Sequence, residues 1–131
     1  GQLRRLDSMI ERRRALRRTY AARFADVPGV RVLGSADGGD DNCWLTAIVV
    51  DPDVAGWSAA DLGAALAAHD IESRPVWKPM HRQPLFAGHE AAVNGVSDEL
   101  FATGLSLPSG SVLDADDVRR VLDTIDAFLG T

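Results

Sequence analysis

The sixteen residues IESRPVWKPMHRQPLF, positions 71–86, hold three prolines, a tryptophan, a histidine, two arginines and the chain's only lysine. Arginine presents a planar fork of donors that matches an oxyanion, and tryptophan offers a flat stacking surface. Histidine can donate to a hydroxyl or carry a proton near neutral pH. Arg74, Lys78, His81 and Arg82, interleaved with Pro75, Trp77 and Pro79, describe a stiff cationic loop with one aromatic face. Such a loop suits an anionic ligand that carries a planar or sugar ring. The same spacing also fits a purely structural use, in which Trp77 plugs the core and Arg74 pairs with an acidic residue.

Lys78 is the only side-chain primary amine, so Schiff-base chemistry must use it or take a lysine from elsewhere. It precedes Pro79 in a rigid stretch with no burial pattern, which favours an anchoring charge or a plain surface lysine over a covalent nucleophile. The remaining candidates are bland. His69 falls at a helix C-terminus, where positive charge is favoured, and His89 falls in a loop. Neither stands at a metal-ligand spacing from His81. Ser58 and Ser97 read as helix caps, and Ser109 lacks a nucleophile-elbow context. GSADGG (34–39) lacks the lysine and following helix of a phosphate loop. Cys43 alone makes no internal disulfide and is expected to face the core.

The elements that must position the loop follow from periodicity and punctuation. Residues 2–24 read as one long helix, with Leu3, Leu6, Ile10, Leu16, Tyr20 and Phe24 in a stripe that Arg13 and Arg17 interrupt. Pro28 and Gly29 end it. Residues 30–33 are a short strand, 34–42 a mobile loop, and CWLTAIVVD (43–51) a central strand. Ser58 with Asp61 caps a helix over 59–69. Residues 71–75 are extended because Pro75 disfavours the helical region for Arg74. The segment 76–96 is irregular with one turn near 81–84, and Ser97 caps a short helix to Ala102. GLSLPSG (104–110) is a strand ending in a turn. Asp114 and Asp117 cap a last helix whose buried stripe is Val118, Val121, Leu122, Ile125 and Leu129, with Gly130 as its stop. This order predicts an α+β sandwich, one domain over 1–131, with a small mixed or antiparallel sheet and helices packed on one face.

Composition is ordinary for a globular protein, at 46% hydrophobic and 25% charged residues. No apolar run is long enough to cross a membrane and none sits near the start, so neither a membrane span nor a signal peptide is expected. The net charge of −5 hides an asymmetry. Residues 1–31 carry nine arginines against three acids, a balance of +6, while the rest of the chain stands at −11. An arginine-rich helix on an acidic body suits nucleic acid, or an acidic surface of the same or another subunit.

The 71–86 string, followed by GLSLPSGSVLDADDVRRVLDTI (104–125), resembles the C-terminal small domain of the DegT/StrS family of pyridoxal-phosphate-dependent sugar aminotransferases. Residues 1–30 are similar to the long helix by which those enzymes leave their large domain, and CWLTAIVV matches the family's tryptophan–leucine strand. The resemblance departs at Ser106, where many relatives carry cysteine. It implies the small domain of the aspartate-aminotransferase (type I) fold. In that family, pyridoxal phosphate and its lysine sit in a large domain upstream of this chain. An amino group moves from an amino acid, glutamate, to a keto-sugar nucleotide. It also implies that Arg74, Trp77, Lys78 and His81 border the active-site mouth and face the sugar nucleotide. His81 is the best single contact, and none of the four has a catalytic, cofactor or metal role. The expected setting is cytoplasmic and homodimeric, with a large domain supplied in cis or in trans, and the 131-residue chain is expected to be inactive alone. The competing reading is a stand-alone binding module that uses the arginine-rich helix for nucleic acid or an acidic partner. Mixed with pyridoxal phosphate and borohydride, the chain is expected to take up no stoichiometric label at Lys78. Labelling followed by amine transfer would overturn the assignment of the chemistry to another domain.

Overall fold

The computed structural model describes residues 4–34 and 41–131, together with the backbone of residues 2 and 3. Most of the loop expected to be mobile therefore lies outside the described residues. A 3₁₀ turn, Gln2–Arg5, leads into α1, Leu6–Phe24. The apolar stripe is buried only in its second half, at Leu16, Tyr20 and Phe24, whereas Leu6 is exposed. Of the arginines that interrupt it, Arg17 is engaged within the chain. Its guanidinium donates to the Leu33 carbonyl at 2.7 Å, pairs with Asp41 at 2.8 Å and reaches Cys43 Sγ at 3.7 Å. It lies where a side chain at position 34 would project, 2.2 Å from an added Cβ, and Gly34 also has φ +104°. The positive φ is what calls for glycine there. Arg13 Nε is buried without a partner among the described residues.

The sheet is antiparallel throughout, with strands ordered β1-β2-β4-β3. These are β1 (Val30–Val32), β2 (Thr46–Val50), β3 (Arg74–Pro75) and β4 (Gly104–Leu107). β2 is interior, as its apolarity predicts, but it starts three residues later than expected. Asp41 Oδ1 accepts from the Cys43 amide at 2.8 Å and Asn42 Oδ1 from the Trp44 amide at 2.9 Å. These local side-chain turns remove the amides from any ladder, and Cys43 takes φ +49°. Cys43 is buried as expected, though against Arg17 rather than on the strand.

Between β2 and β3 the chain first makes a one-turn helix, α2 (Pro52–Ala55), where no element is expected from the sequence. Its signals are ordinary: Asp51 caps it, proline opens it, and Gly56 ends it at φ +78°. α3 (Ala59–Ala68) starts on the expected capping box. The Ser58 amide and hydroxyl both donate to Asp61 Oδ2, at 2.8 and 2.7 Å, and these bonds hold the Asp61 carboxyl below the usual carboxylate range. α3 ends in a Schellman turn, with Asp70 in the left-handed region at φ +56°. The Asp70 amide bonds to the Ala67 carbonyl and the Ile71 amide to that of Leu66, both at 3.0 Å. Ile71 is then buried beside Leu66 in the core.

α4 (Val96–Thr103) corrects one expectation. Its cap is Gly95 at φ +86°, with Asn94 Oδ1 accepting from the Val96 amide at 3.2 Å, so Ser97 lies inside the first turn and caps nothing. α5 (Ala115–Leu129) opens on the Asp114–Asp117 capping box and closes on Gly130 at φ +75°. It buries Val121, Thr124 and Ile125, with Val118, Leu122 and Leu129 packed at the margin.

α1, α3 and α5 cover one face of the sheet. Tyr20, Leu62, Leu66, Ile48, Val50, Leu105, Leu107 and Ile125 form a single apolar cluster between them. α4 touches β2, β3 and β4 but contributes no residue to that cluster. An Arg23–Asp126 ion pair and a 3.2 Å bond from Arg12 to the Leu113 carbonyl fasten α1 to the α5 side. The end of β4 is clipped twice. The Tyr20 hydroxyl donates to the Pro108 carbonyl at 2.9 Å, while Ser109 Oγ donates to the Leu107 carbonyl at 2.7 Å and accepts from the Thr46 amide at 2.8 Å. Burial drives the Tyr20 phenol well above its usual value, so it remains a donor. Among the described residues no helix is long and apolar enough to cross a membrane.

Tyr20→Phe leaves the Pro108 carbonyl without its donor and is expected to cost about 1–3 kcal/mol in urea unfolding. A loss near zero would deny that clip. Asp61 titrates lower folded than unfolded, so its contribution is present above the unfolded value and lost as pH falls through the folded one. The acid limb of the melting profile should therefore be flatter in Asp61→Asn.

Candidate functional site

The route into the site begins at the Schellman turn. Burying Ile71 commits the next residues to run out along the sheet edge, where Arg74 pairs with Ser106 and Pro75 with Leu105. Proline is tolerated because β3 is an edge strand. The Val76 amide continues the pairing by donating to the Gly104 carbonyl at 3.3 Å. Gly104 admits this close approach. A Cβ there would lie 2.4 Å from the Leu100 carbonyl oxygen and 2.9 Å from both methyls of Val76. The strand edge thus delivers Trp77 and Lys78 outward, with Pro79 buried behind them.

Arg74, Trp77 and Lys78 line one open concavity of about 810 Å³, together with Trp44, Phe101 and Ser106. Trp77 does not plug the core; it is 68% exposed. Its ring leans against that of Trp44, centroids 5.9 Å apart and planes tilted by 41°. Arg74 does pair with an acid, Glu72, at 2.7 Å from Nε, but both side chains are exposed. In water such a pair is weak, near 0–1 kcal/mol, so the guanidinium is available for a stronger oxyanion. Ser106 is half-buried on this wall. Its hydroxyl adds a hydrogen-bonding group to the lining.

His81 is placed differently. It sits in a 3₁₀ turn, Met80–Arg82, and Nε2 lies 2.9 Å from Asp98 Oδ2 on α4. Arg82 approaches the other oxygen of Asp98 at 3.6 Å and lies over the Phe101 ring, 5.5 Å from its centroid. The turn is therefore bolted to the helix that supplies Phe101 to the concavity. Three of the four sequence-predicted residues share the concavity, and the fourth flanks it, tied to its α4 wall. Sequence reasoning missed Trp44, Phe101 and Asp98. Trp44 was absorbed into a strand it does not join, and the other two sit on a short helix whose facing is not periodic enough to read.

His69 and His89 take no part in this cluster. Among the described residues no group of three or more metal-ligating side chains comes together. Arg12, Arg14, Arg17 and Arg23 of α1 all bond within the chain, which removes much of the cationic face that a nucleic-acid surface would need.

Comparison with known proteins adds a lineage to this geometry. The model of the DegT/DnrJ/EryC1/StrS aminotransferase family matches residues 1–126. EpsN of Bacillus subtilis, which carries the name of a pyridoxal phosphate-dependent aminotransferase, is 37% identical over 95% of this chain and 32% of its own length. GDP-perosamine synthase of Vibrio cholerae is 30% identical over 98% of this chain and 35% of its own. The crystal structure of DesI with its TDP-sugar product superposes with a TM-score of 0.83 at 27% identity, over 97% of this chain and 33% of DesI. The chain spans about a third of the length of the curated relatives it matches.

Gly104→Ala must push Val76 or the Leu100 carbonyl aside. It is expected to cost about 1–3 kcal/mol, as overpacking does, and to displace the Trp77 segment. The tilted Trp44–Trp77 pair should give an exciton couplet in circular dichroism that either single tryptophan-to-phenylalanine change abolishes. In Gly104→Ala the couplet should weaken, and an unaltered couplet there would show that β3 does not position Trp77.

Proposed function

The chain belongs to the DegT/DnrJ/EryC1/StrS aminotransferase family, and from that premise we propose that it is the small-domain portion of a pyridoxal-phosphate-dependent sugar aminotransferase. In this reading residues 1–131 form a single domain. The parent enzyme moves an amino group from an amino acid, glutamate, to a keto-sugar nucleotide, and works as a cytoplasmic homodimer. The observation that carries the reading is the open concavity on which Arg74, Trp77 and Lys78 converge beside Trp44 and Phe101. It offers two cations for a diphosphate and aromatic faces for the base or sugar ring. His81 stands at its flank to meet a sugar hydroxyl.

The described residues do not fit the cofactor. Lys78 is exposed, whereas a lysine that forms a Schiff base is activated by desolvation or by an adjacent cation within a pocket. The cofactor and its lysine are therefore assigned, as part of the proposal, to a large domain supplied in cis or in trans. The division is a general one: the cofactor carries the electronic work while the surrounding protein orients the substrate and excludes side reactions. This portion contributes grip on the sugar nucleotide and has no turnover of its own.

In the complete enzyme, Trp77→Ala should raise the KM for the sugar nucleotide about tenfold, the size expected for one lost stacking contact. The half-reaction with the amino donor should keep its rate. Equal losses in both half-reactions, measured by stopped-flow absorbance, would point to a folding defect, and no loss in either would remove Trp77 from the substrate's path.

A further inference from the structure

His81 and Asp98 are 17 residues apart in sequence and lie on different elements, yet Nε2 and Oδ2 are 2.9 Å apart. Neither side chain is fully exposed, at 24% and 34%. Asp98 is the third residue of α4, counted from its Gly95 cap, where the helix end favours negative charge. Arg82 reinforces that charge from the other oxygen at 3.6 Å. An ionised carboxylate only accepts hydrogen bonds. A neutral imidazole facing it must therefore carry its proton on Nε2, which leaves the lone pair on Nδ1. Nδ1 makes no hydrogen bond among the described residues and is not a sealed atom.

We propose that Asp98 is a positioning residue for His81: it fixes the ring in one tautomer and one orientation, so that Nδ1 is presented as a hydrogen-bond acceptor to a hydroxyl of the bound sugar. The inference rests on the reading of His81 as a substrate contact. The turn that carries His81 is only three residues long and follows an irregular stretch, so its backbone alone orients the ring poorly. The α4 helix supplies the missing constraint through three linked contacts, His81 to Asp98, Asp98 to Arg82, and Arg82 over Phe101. Phe101 itself lines the concavity, so this bracket sets the histidine in register with the same wall that the ligand meets. The general parallel is the second group that orients a working histidine by accepting from its other nitrogen.

The test has a spectroscopic arm and a kinetic arm. Long-range nitrogen–proton correlation spectra of the 131-residue chain, above the histidine titration, should show His81 wholly as the Nε2–H tautomer with a slowly exchanging, downfield ring proton. In Asp98→Leu that proton should vanish and the ring should relax to the mixture of a free imidazole. Asp98→Asn, nearly isosteric, should also give a mixture, because its amide both donates and accepts. Asp98→Glu should restore the single form. A wild-type ring already in the free mixture, or one unchanged in both Asp98→Leu and Asp98→Asn, overturns the positioning role.

In the complete enzyme, Asp98→Leu and His81→Gln should each raise the sugar-nucleotide KM about tenfold, the scale of one hydrogen bond to an ionisable group. Asp98→Glu should recover most of that loss. An unaltered KM in His81→Gln would sink the substrate contact itself, whatever the tautomer. A raised KM in His81→Gln with none in Asp98→Leu would sink only the role given to Asp98.

Discussion

The architecture of the site turns on one close approach, that of Val76 to Gly104. Two residues of β3 and one further amide bond are all that hold the cationic, aromatic segment to the sheet. Such a short pairing is marginal on its own, because few hydrogen bonds must offset the ordering of the backbone. It persists because both its ends are anchored. Upstream, the Schellman turn sinks Ile71 into the core. Downstream, Pro79 is buried and Arg82 reaches across to α4. A side chain on Gly104 would collide with backbone as well as with Val76, so the strand can lie flat only where nothing projects.

The far wall of the concavity is built with equal economy. β4 ends at Leu107, and the next two residues are each held by a hydrogen bond from a different element. Tyr20 reaches Pro108 from α1, and Ser109 closes onto Thr46 at the start of β2. Buried polar groups of this sort add little net stability when satisfied but are expensive when orphaned, so they specify position more than they strengthen the fold. Trp44 and Leu45 stand just ahead of Thr46 and inherit that placement, which is how an exposed tryptophan comes to rest against Trp77.

Charge follows the same logic of internal use. The arginine-rich start of the chain resembles a docking strip when read linearly. In three dimensions, Arg17 ties Leu33 to Asp41 and Cys43, and Arg12 and Arg23 lash α1 to the α5 side of the molecule. Arg74 and Lys78, far along the chain, face the concavity that also holds Trp77. The chain belongs to the DegT/DnrJ/EryC1/StrS aminotransferase family and spans about a third of the length of the curated relatives it matches.

Much of this was legible in the residues alone. Capping boxes at Ser58 and Asp114, the interior placement of β2 and the buried stripe of α5 each rest on local rules, in which a side chain bonds its own helix end or repeats with a fixed period. The identity of the loop that carries the cations was legible for a similar reason, since proline, tryptophan and lysine crowded together have few bland uses. Local polar competition defeated the reading at Cys43 and Ser97, where Asp41, Asn42 and Asn94 captured backbone amides that a propensity argument assigns to strand or cap. Only the tertiary structure decided that Trp44 leans on Trp77, that Phe101 lines the same concavity, and that His81 is held by Asp98. Those contacts join residues 17 to 33 positions apart across strand order and helix packing, and no periodicity along a single chain encodes which surfaces a folded core will bring together.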